Sequence, residues 1–372
     1  MKIIWFSEIK WSYLKTRKQH ILTNFDNSDE ILFIEPLSLN LKNNFNISTE
    51  KNIKYIAVPQ IQNSDYKLIN YIIQLNFIKY LLSSISEKKV NNLLQNLKFI
   101  PDIIIISNIF WIPFVKILKY IYNIKVIYDC NDNPLAFPNA YKKSLLFNQT
   151  LRTSDFIIVP YKSYSNFIPD IYHNKIEIIS NGVDKNLLKI KTKKIDKIKN
   201  IKKIVMYVGS IDSRLDYNLI AYLASNMKNF NFIFIGNIKK QNRTIFKKLN
   251  NLHNNIYHFN SIKYNEISSY ISHSLICIIP FIKNELSKNI LPNKLFEYSL
   301  LEKPFIMTNF NNQLKDLDSK LLIAKDKNDF KNLIIQQEKK SYDTKELKKF
   351  ALNFNWENIS VQYRKFILKN KN

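Results

Sequence analysis

The sequence predicts an α/β fold of two doubly wound parallel-sheet domains, with a ligand cleft between them. Three observations carry this. Short apolar runs rich in Ile and Val alternate with helical stretches along nearly the whole chain. The alternation breaks once, at a Lys-rich stretch, and then restarts. The length, 372 residues, also exceeds what one hydrophobic core usually organises.

In the first half the strand expectations are residues 2–6, 31–35, 53–58, 102–106, 125–128, 156–159 and 175–179. Their β-branched, near-continuous apolar character suits a sheet covered on both faces. Residues 66–85 are apolar with scattered Asn, Gln and Lys, too polar to span a bilayer. They read as a helix, packed in a core or lying in a membrane interface. Residues 185–203 hold nine Lys and one Asp and read as a linker between domains. Strands then follow at 204–208, 231–235, 256–259, 275–279 and 304–308. Helices are expected near 215–227, 243–252, 264–272, 293–301 and 343–368. The domain expectation is therefore 1–184, linker 185–203, 204–342, and a helical segment 343–372. In two such halves a ligand binds at the carboxyl ends of the strands.

Hydrophobic residues make up 46% and charged residues 23%, which excludes global disorder. No signal peptide and no membrane-spanning run are read. Two distant cysteines, Cys130 and Cys277, suit a reducing, cytoplasmic setting. No His/Cys cluster has zinc-ligand spacing, so no metal is expected. The formal charge is +26, and 51 of the 56 basic residues are Lys. Residues 1–184 carry a net +6 and residues 185–372 a net +20. That surface favours anionic partners such as phosphates or acidic lipids. A nucleic-acid reading rests on charge alone, without a recognition motif, and is not adopted.

Glycine is scarce: Gly182, Gly209 and Gly236 are the only three. Such a chain keeps glycine where no side chain fits. After the strand at 204–208, Gly209-Ser210 turns the chain toward Arg214 and a helix. Backbone N–H groups and a helix N-terminus there suit a phosphate, and the planar Arg donors suit a diphosphate. A plain strand-to-helix turn is the competing reading. Residues 280–308 end a strand at Pro280-Phe281, run through a polar loop containing Asn289, and restart as a helix at Pro292. Asn293, Lys294 and Glu297 occupy its first turn. Lys294 suits a phosphate and Glu297 ribose hydroxyls. As plain structure, Glu297 complements the helix dipole and Lys294 is solvated.

These segments resemble the nucleotide-sugar-binding half of bacterial GT-B glycosyltransferases of the family-4-like group. The matching residues are Gly209 to Asp216, Phe234-Ile235-Gly236, and Pro280 to Pro304. In the first half, Asn181-Gly182-Val183-Asp184 looks like the close of that family's first domain. Arg17-Lys18-Gln19-His20 with Ile31–Pro36, and Tyr128-Asp129-Cys130-Asn131-Asp132, look like segments of members that build surface polysaccharides. The resemblance covers nearly the whole chain. It implies two Rossmann-like domains and transfer of a sugar from a nucleoside diphosphate sugar to a saccharide or lipid-linked acceptor. It implies no essential metal, leaving-group stabilisation being left to Arg214 and Lys294, and a retaining course. Donor contacts would come from Gly209, Ser210, Arg214, Phe281, Asn289, Asn293, Lys294 and Glu297. His20, Asp129 and Asp132 are the first-half candidates for acceptor contact or proton transfer. As plain structure, His20 caps or packs, and Asp132-Asn133-Pro134 makes a turn.

Two positions depart from the family pattern. Asn289 stands where many such enzymes carry the first of two Glu, and Ser210 where an Arg is often found. Nucleotide binding survives both changes, whereas the donor sugar and turnover are where they bear. The alternatives are a nucleotide-sugar-binding subunit without catalysis and a GT-B-fold epimerase. Asp316-Leu317-Asp318 is read as surface. The resemblance also implies work at the inner face of the cytoplasmic membrane, with peripheral attachment through Lys-rich or shallow apolar segments.

Overall fold

The computed structural model describes the chain except residues 13–14, 38–45, 60–71, 73–74, 137–139, 318–320, 340–343 and 372. It divides into two compact units, Met1–Ser180 with Glu357–Asn372, and Asn181–Trp356.

The first unit is built on an eight-stranded sheet. Its elements are β1 (Lys2–Phe6), α1 (Arg17–Leu22), β2 (Glu30–Pro36), β3 (Ser48–Glu50), β4 (Ile53–Val58), α2 (Asn76–Asn96) and β5 (Ile103–Ile106). They continue with α3 (Ile112–Tyr122), β6 (Lys125–Asp129), α4 (Ala140–Thr153), β7 (Phe156–Val159) and β8 (Ile176–Ile178). The strand order is β3-β4-β2-β1-β5-β6-β7-β8, and only β3 with β4 is antiparallel. The centre of the sheet is its most apolar part. Ile3 to Phe6 in β1 and Ile103 to Ile106 in β5 are completely buried and pair in register. An all-Ile strand fits only there, because a central parallel strand is covered on both faces. The helix α3 starts with Pro113 in its first turn and stops at Asn123, whose left-handed φ of 49° ends the helical run.

The second unit contains β9 (Ile204–Val208), α5 (Tyr217–Asn226), β10 (Asn231–Ile235), α6 (Arg243–Leu252), β11 (Ile256–Phe259), α7 (Ile267–His273) and β12 (Ile276–Ile279). It ends with α8 (Asn293–Leu300), β13 (Phe305–Thr308), β14 (Leu322–Ala324), α9 (Lys327–Lys339) and α10 (Lys345–Asn353). Its six strands are all parallel, in the order β11-β10-β9-β12-β13-β14. The chain runs outward from β9 one way and from β12 the other, so the order reverses between these two strands.

Three boundaries differ from the sequence reading. The Lys-rich stretch 185–203 lies within the second unit, because Leu187 and Ile198 are buried and the Lys193 amide donates to Ser269 Oγ. The expected helix at 343–368 is two helices. The chain leaves α10 at Phe354, whose carbonyl accepts the Val183 amide, and resumes as α11 (Trp356–Asn370). Most of α11 belongs to the first unit, where Tyr363 packs on Trp5 and Phe25 and Phe366 packs on Phe156. Of the expected helix at 66–85, residues 66–71 and 73–74 lie outside the described residues, and residues 76–85 form the start of α2.

Candidate functional site

The strand order reverses between β9 and β12, and the carboxyl ends of strands at such a reversal are where doubly wound sheets bind ligands. Residues 209–216 cross this position as a strap sewn on both sides. The Gly209 amide donates to the Ile235 carbonyl, and the Ile211 amide to Asn237. On the other side the Asp216 amide donates to Pro280 and the Ile282 amide to Arg214. Gly209 and Gly236 both have a φ of +146°, and a Cβ on Gly236 would stand 2.0 Å from the Gly209 carbonyl oxygen. The scarce glycines therefore sit where the two loops touch backbone to backbone.

Four charged side chains gather at the strap. Arg214 is fixed by Asp212, which accepts from its Nε at 2.9 Å and its Nη2 at 2.6 Å. Burial alone would raise the Asp212 carboxyl, but Arg214 and, more weakly, Lys294 hold it below the usual carboxylate range. Lys294, in the first turn of α8, points back at the strap: a Cβ on Gly209 would lie 3.1 Å from its Nζ. The ammonium stands 5.0 Å from the Tyr207 ring centre and 4.9 Å from that of Phe281. Burial and the Arg214 charge push its pKa down to about 8, against the opposing pull of Glu297 and Asp212. Glu297, one turn along the same helix, is raised by burial, with Lys294 working against the rise. The arrangement is two adjoining cations on an aromatic floor, beside the Gly209 turn and a carboxyl. It suits a diphosphate with hydroxyls nearby.

Of the residues singled out in this half, Gly209, Arg214, Phe281, Lys294 and Glu297 come together. Phe281 is buried and serves as floor. Ser210 contributes its carbonyl, which accepts from Tyr207 Oη at 2.8 Å. Asn289 is buried in the loop before α8, and Asn293 is exposed at the helix start. Asp212 and Tyr207 were not foreseen. An acid two residues before an Arg was the available signal for Asp212, and Tyr207 had none beyond its place in a strand.

The first-half candidates have different surroundings. His20 is buried in α1, and its carbonyl accepts from Asn24 Nδ2 at 2.7 Å. Asp129 is completely buried at the end of β6 and is bound by Arg17 at 3.2 Å and by Asn131 Nδ2 at 3.0 Å. Arg17 also donates to the Ile179 and Ser180 carbonyls, at 2.8 and 2.6 Å. Asp132 is exposed. Among the described residues no group of three or more His, Cys, Asp or Glu could hold a metal ion. Asp318, half of the Asp-x-Asp read as surface, lies outside the described residues.

Two doubly wound units, each with its own parallel sheet, define the GT-B class of fold. No protein-family model matches the chain. Sucrose-phosphate synthase from Thermosynechococcus elongatus superimposes with a TM-score of 0.74 at 13% identity, over 99% of this chain and 98% of that one. Anabaena HepE, solved in complex with UDP and glucose, gives 0.70 at 14% identity over 99% of each chain. In sequence the chain is similar to TuaH of Bacillus subtilis, described as a teichuronic acid biosynthesis glycosyltransferase, at 24% identity over 202 residues. That match spans 50% of this chain and 50% of TuaH, so it reaches about half of the relative's length.

Proposed function

We propose that the protein is a glycosyltransferase that moves a sugar from a nucleoside diphosphate sugar to a saccharide or lipid-linked acceptor in the assembly of a cell-surface polysaccharide. The observation that carries this is the pair Arg214 and Lys294 against the Gly209 strap, at the strand reversal of the second sheet. Negative charge grows on the departing diphosphate as the sugar leaves, and fixed cations there lower the barrier more than they aid ground-state binding. The bound UDP in HepE and the biosynthetic role described for TuaH support the same reading. Glu297 takes a ribose hydroxyl. The two cations supply the charge that a metal would otherwise bring, so turnover is expected to persist in EDTA. A loss restored by manganese or magnesium would refute that part. A retaining course follows from the resemblance, and NMR of the product anomer tests it.

Calorimetry with UDP tests the site. Arg214→Ala should weaken binding by about 1.5–3 kcal/mol, the range for a hydrogen bond to a charged group. Unchanged affinity in the folded variant would remove Arg214 from the site. One observation favours a second reading, a nucleotide-sugar-binding subunit without turnover. Asn289 replaces an acid, and the nearby Glu285 is paired outward with Lys288 at 2.6 Å. Hydrolysis or transfer from UDP-glucose excludes that reading.

Peripheral attachment to an anionic membrane belongs to the same proposal. Among the described residues no helix is long and apolar enough to cross a membrane. The start of α2 exposes Phe77, Leu81 and Ile85 at a spacing of four, one stripe of a helix face.

A further inference from the structure

The first sheet has its own strand reversal, and it lies between β1 and β5. From β1 the chain builds outward through β2 and β4, and from β5 it builds the other way through β6, β7 and β8. By the same rule that places a ligand at β9 and β12, the carboxyl ends of β1 and β5 are the ligand position of this unit. The residues that follow those strands are Ser7-Glu8 and Ser107-Asn108. None of them was a candidate from sequence.

They form one bonded group. The Glu8 carboxylate is held from one side by the ammonium of Lys18, a very close ion pair. Its other oxygen accepts from Ser107 Oγ at 2.8 Å, and Ser107 in turn accepts from Trp5 Nε1 at 3.2 Å. The Trp111 indole fixes the adjacent backbone by donating to the Ser7 carbonyl at 2.8 Å. Lys18 is only 2% exposed, whereas Glu8 keeps 32% of its side chain open. Burying an ammonium is costly, and a surface carboxylate needs no such support. The buried members therefore immobilise one partly open carboxylate at the mouth of the sheet.

We propose that Glu8, held by Lys18 and Ser107, is a saccharide-hydroxyl site and binds the acceptor sugar. This rests on the glycosyltransferase reading above. An ionised carboxylate accepts hydrogen bonds only, and it pairs with the hydroxyl donors of a neutral sugar. Paired with the Lys18 ammonium it adds no net positive charge to hold a phosphate, so the two units differ in what they favour: anions at Arg214 and Lys294, neutral polyols at Glu8. Lys18 and Ser107 are positioning residues.

The test is saturation-transfer NMR on the whole chain, with methyl glucosides and methyl N-acetylglucosaminides as probes, beside calorimetry with UDP. The wild type is expected to show transfer from at least one sugar. Glu8→Gln should weaken that sugar by about tenfold and leave UDP affinity unchanged. The double variant Glu8→Gln, Lys18→Met removes the charge pair together, so a lone buried ammonium cannot be the cause of the loss. Transfer that persists at wild-type strength in both variants overturns the proposal, and so does its absence from the wild type with every probe. Failure of UDP to bind while sugar binding depends on Glu8 would count against the donor reading and leave this one standing.

Discussion

Lys294 sits half-buried between the rings of Tyr207 and Phe281, with Arg214 as a like-charged neighbour, so its ammonium titrates near pH 8 instead of 10.5. A bound diphosphate reverses that pressure, because it places negative charge beside the group. UDP binding at pH 8.5 should therefore take up protons, and affinity should fall as pH rises past 8. Calorimetry in two buffers of different ionisation enthalpy reads this directly. Equal heats in both would show that no proton is taken up, and an uptake that survives Lys294→Met would show that another group is responsible. The sign for stability is the opposite. Between about 8 and 10.5 the unfolded chain holds the proton more tightly, so the unliganded protein gains stability from this residue as pH rises. Gly209 and Arg214 stand out in the sequence because glycine and arginine are rare in it, and Lys294, one lysine among many, only by its place in the first turn after Pro292. Asp212 does not, since a single acid in a loop reads as solvated until its partner is placed. The grouping of Glu8, Lys18 and Ser107 was not legible for a different reason. The sequence separations of 10 and 99 residues between them are closed only by the sheet.

At the scale of elements, Arg17 ties four pieces of the first unit together. From α1 it reaches Asp129 at the end of β6 and the Ile179 and Ser180 carbonyls, and it lies 5.8 Å from the Tyr363 ring centre of α11. Asp129 is thereby a partner of a buried cation, which is a structural task. Asp129→Ala should destabilise the protein by about 3–5 kcal/mol, the cost of stranding a buried charge, with UDP affinity intact. Denaturant unfolding checks it. A variant of native stability would return Asp129 to the proton-transfer candidates. The apolar strands were legible because central parallel strands leave no polar position. Two of the four edge strands were not: β3 is Ser-Thr-Glu, and β14 is three residues long. The stretch 185–203 misled for a related reason. Its lysines dominate the composition, while two apolar residues, Leu187 and Ile198, decide where it packs.

For the whole molecule, charge and order along the chain matter most. The net +20 of residues 185–372 supplies long-range attraction to acidic lipid, up to about 1 kcal/mol for each Lys near the surface. On the proposed membrane attachment, the exposed stripe on α2 would add shallow insertion. Flotation with anionic vesicles should therefore weaken with salt and weaken again in Phe77→Asp. Equal recovery in the soluble fraction with anionic and neutral vesicles at low salt would refute membrane attachment.

The first unit is discontinuous in sequence, since it is completed by α11 from the far end of the chain. On the ribosome this sets a timetable. The second unit has all its residues once Trp356 emerges, whereas the first must wait for Tyr363 and Phe366. Until then the rings they cover, Trp5, Phe25 and Phe156, lack their lid throughout translation of the second unit. A domain that begins first and finishes last offers chaperones a long interval of exposed aromatic surface.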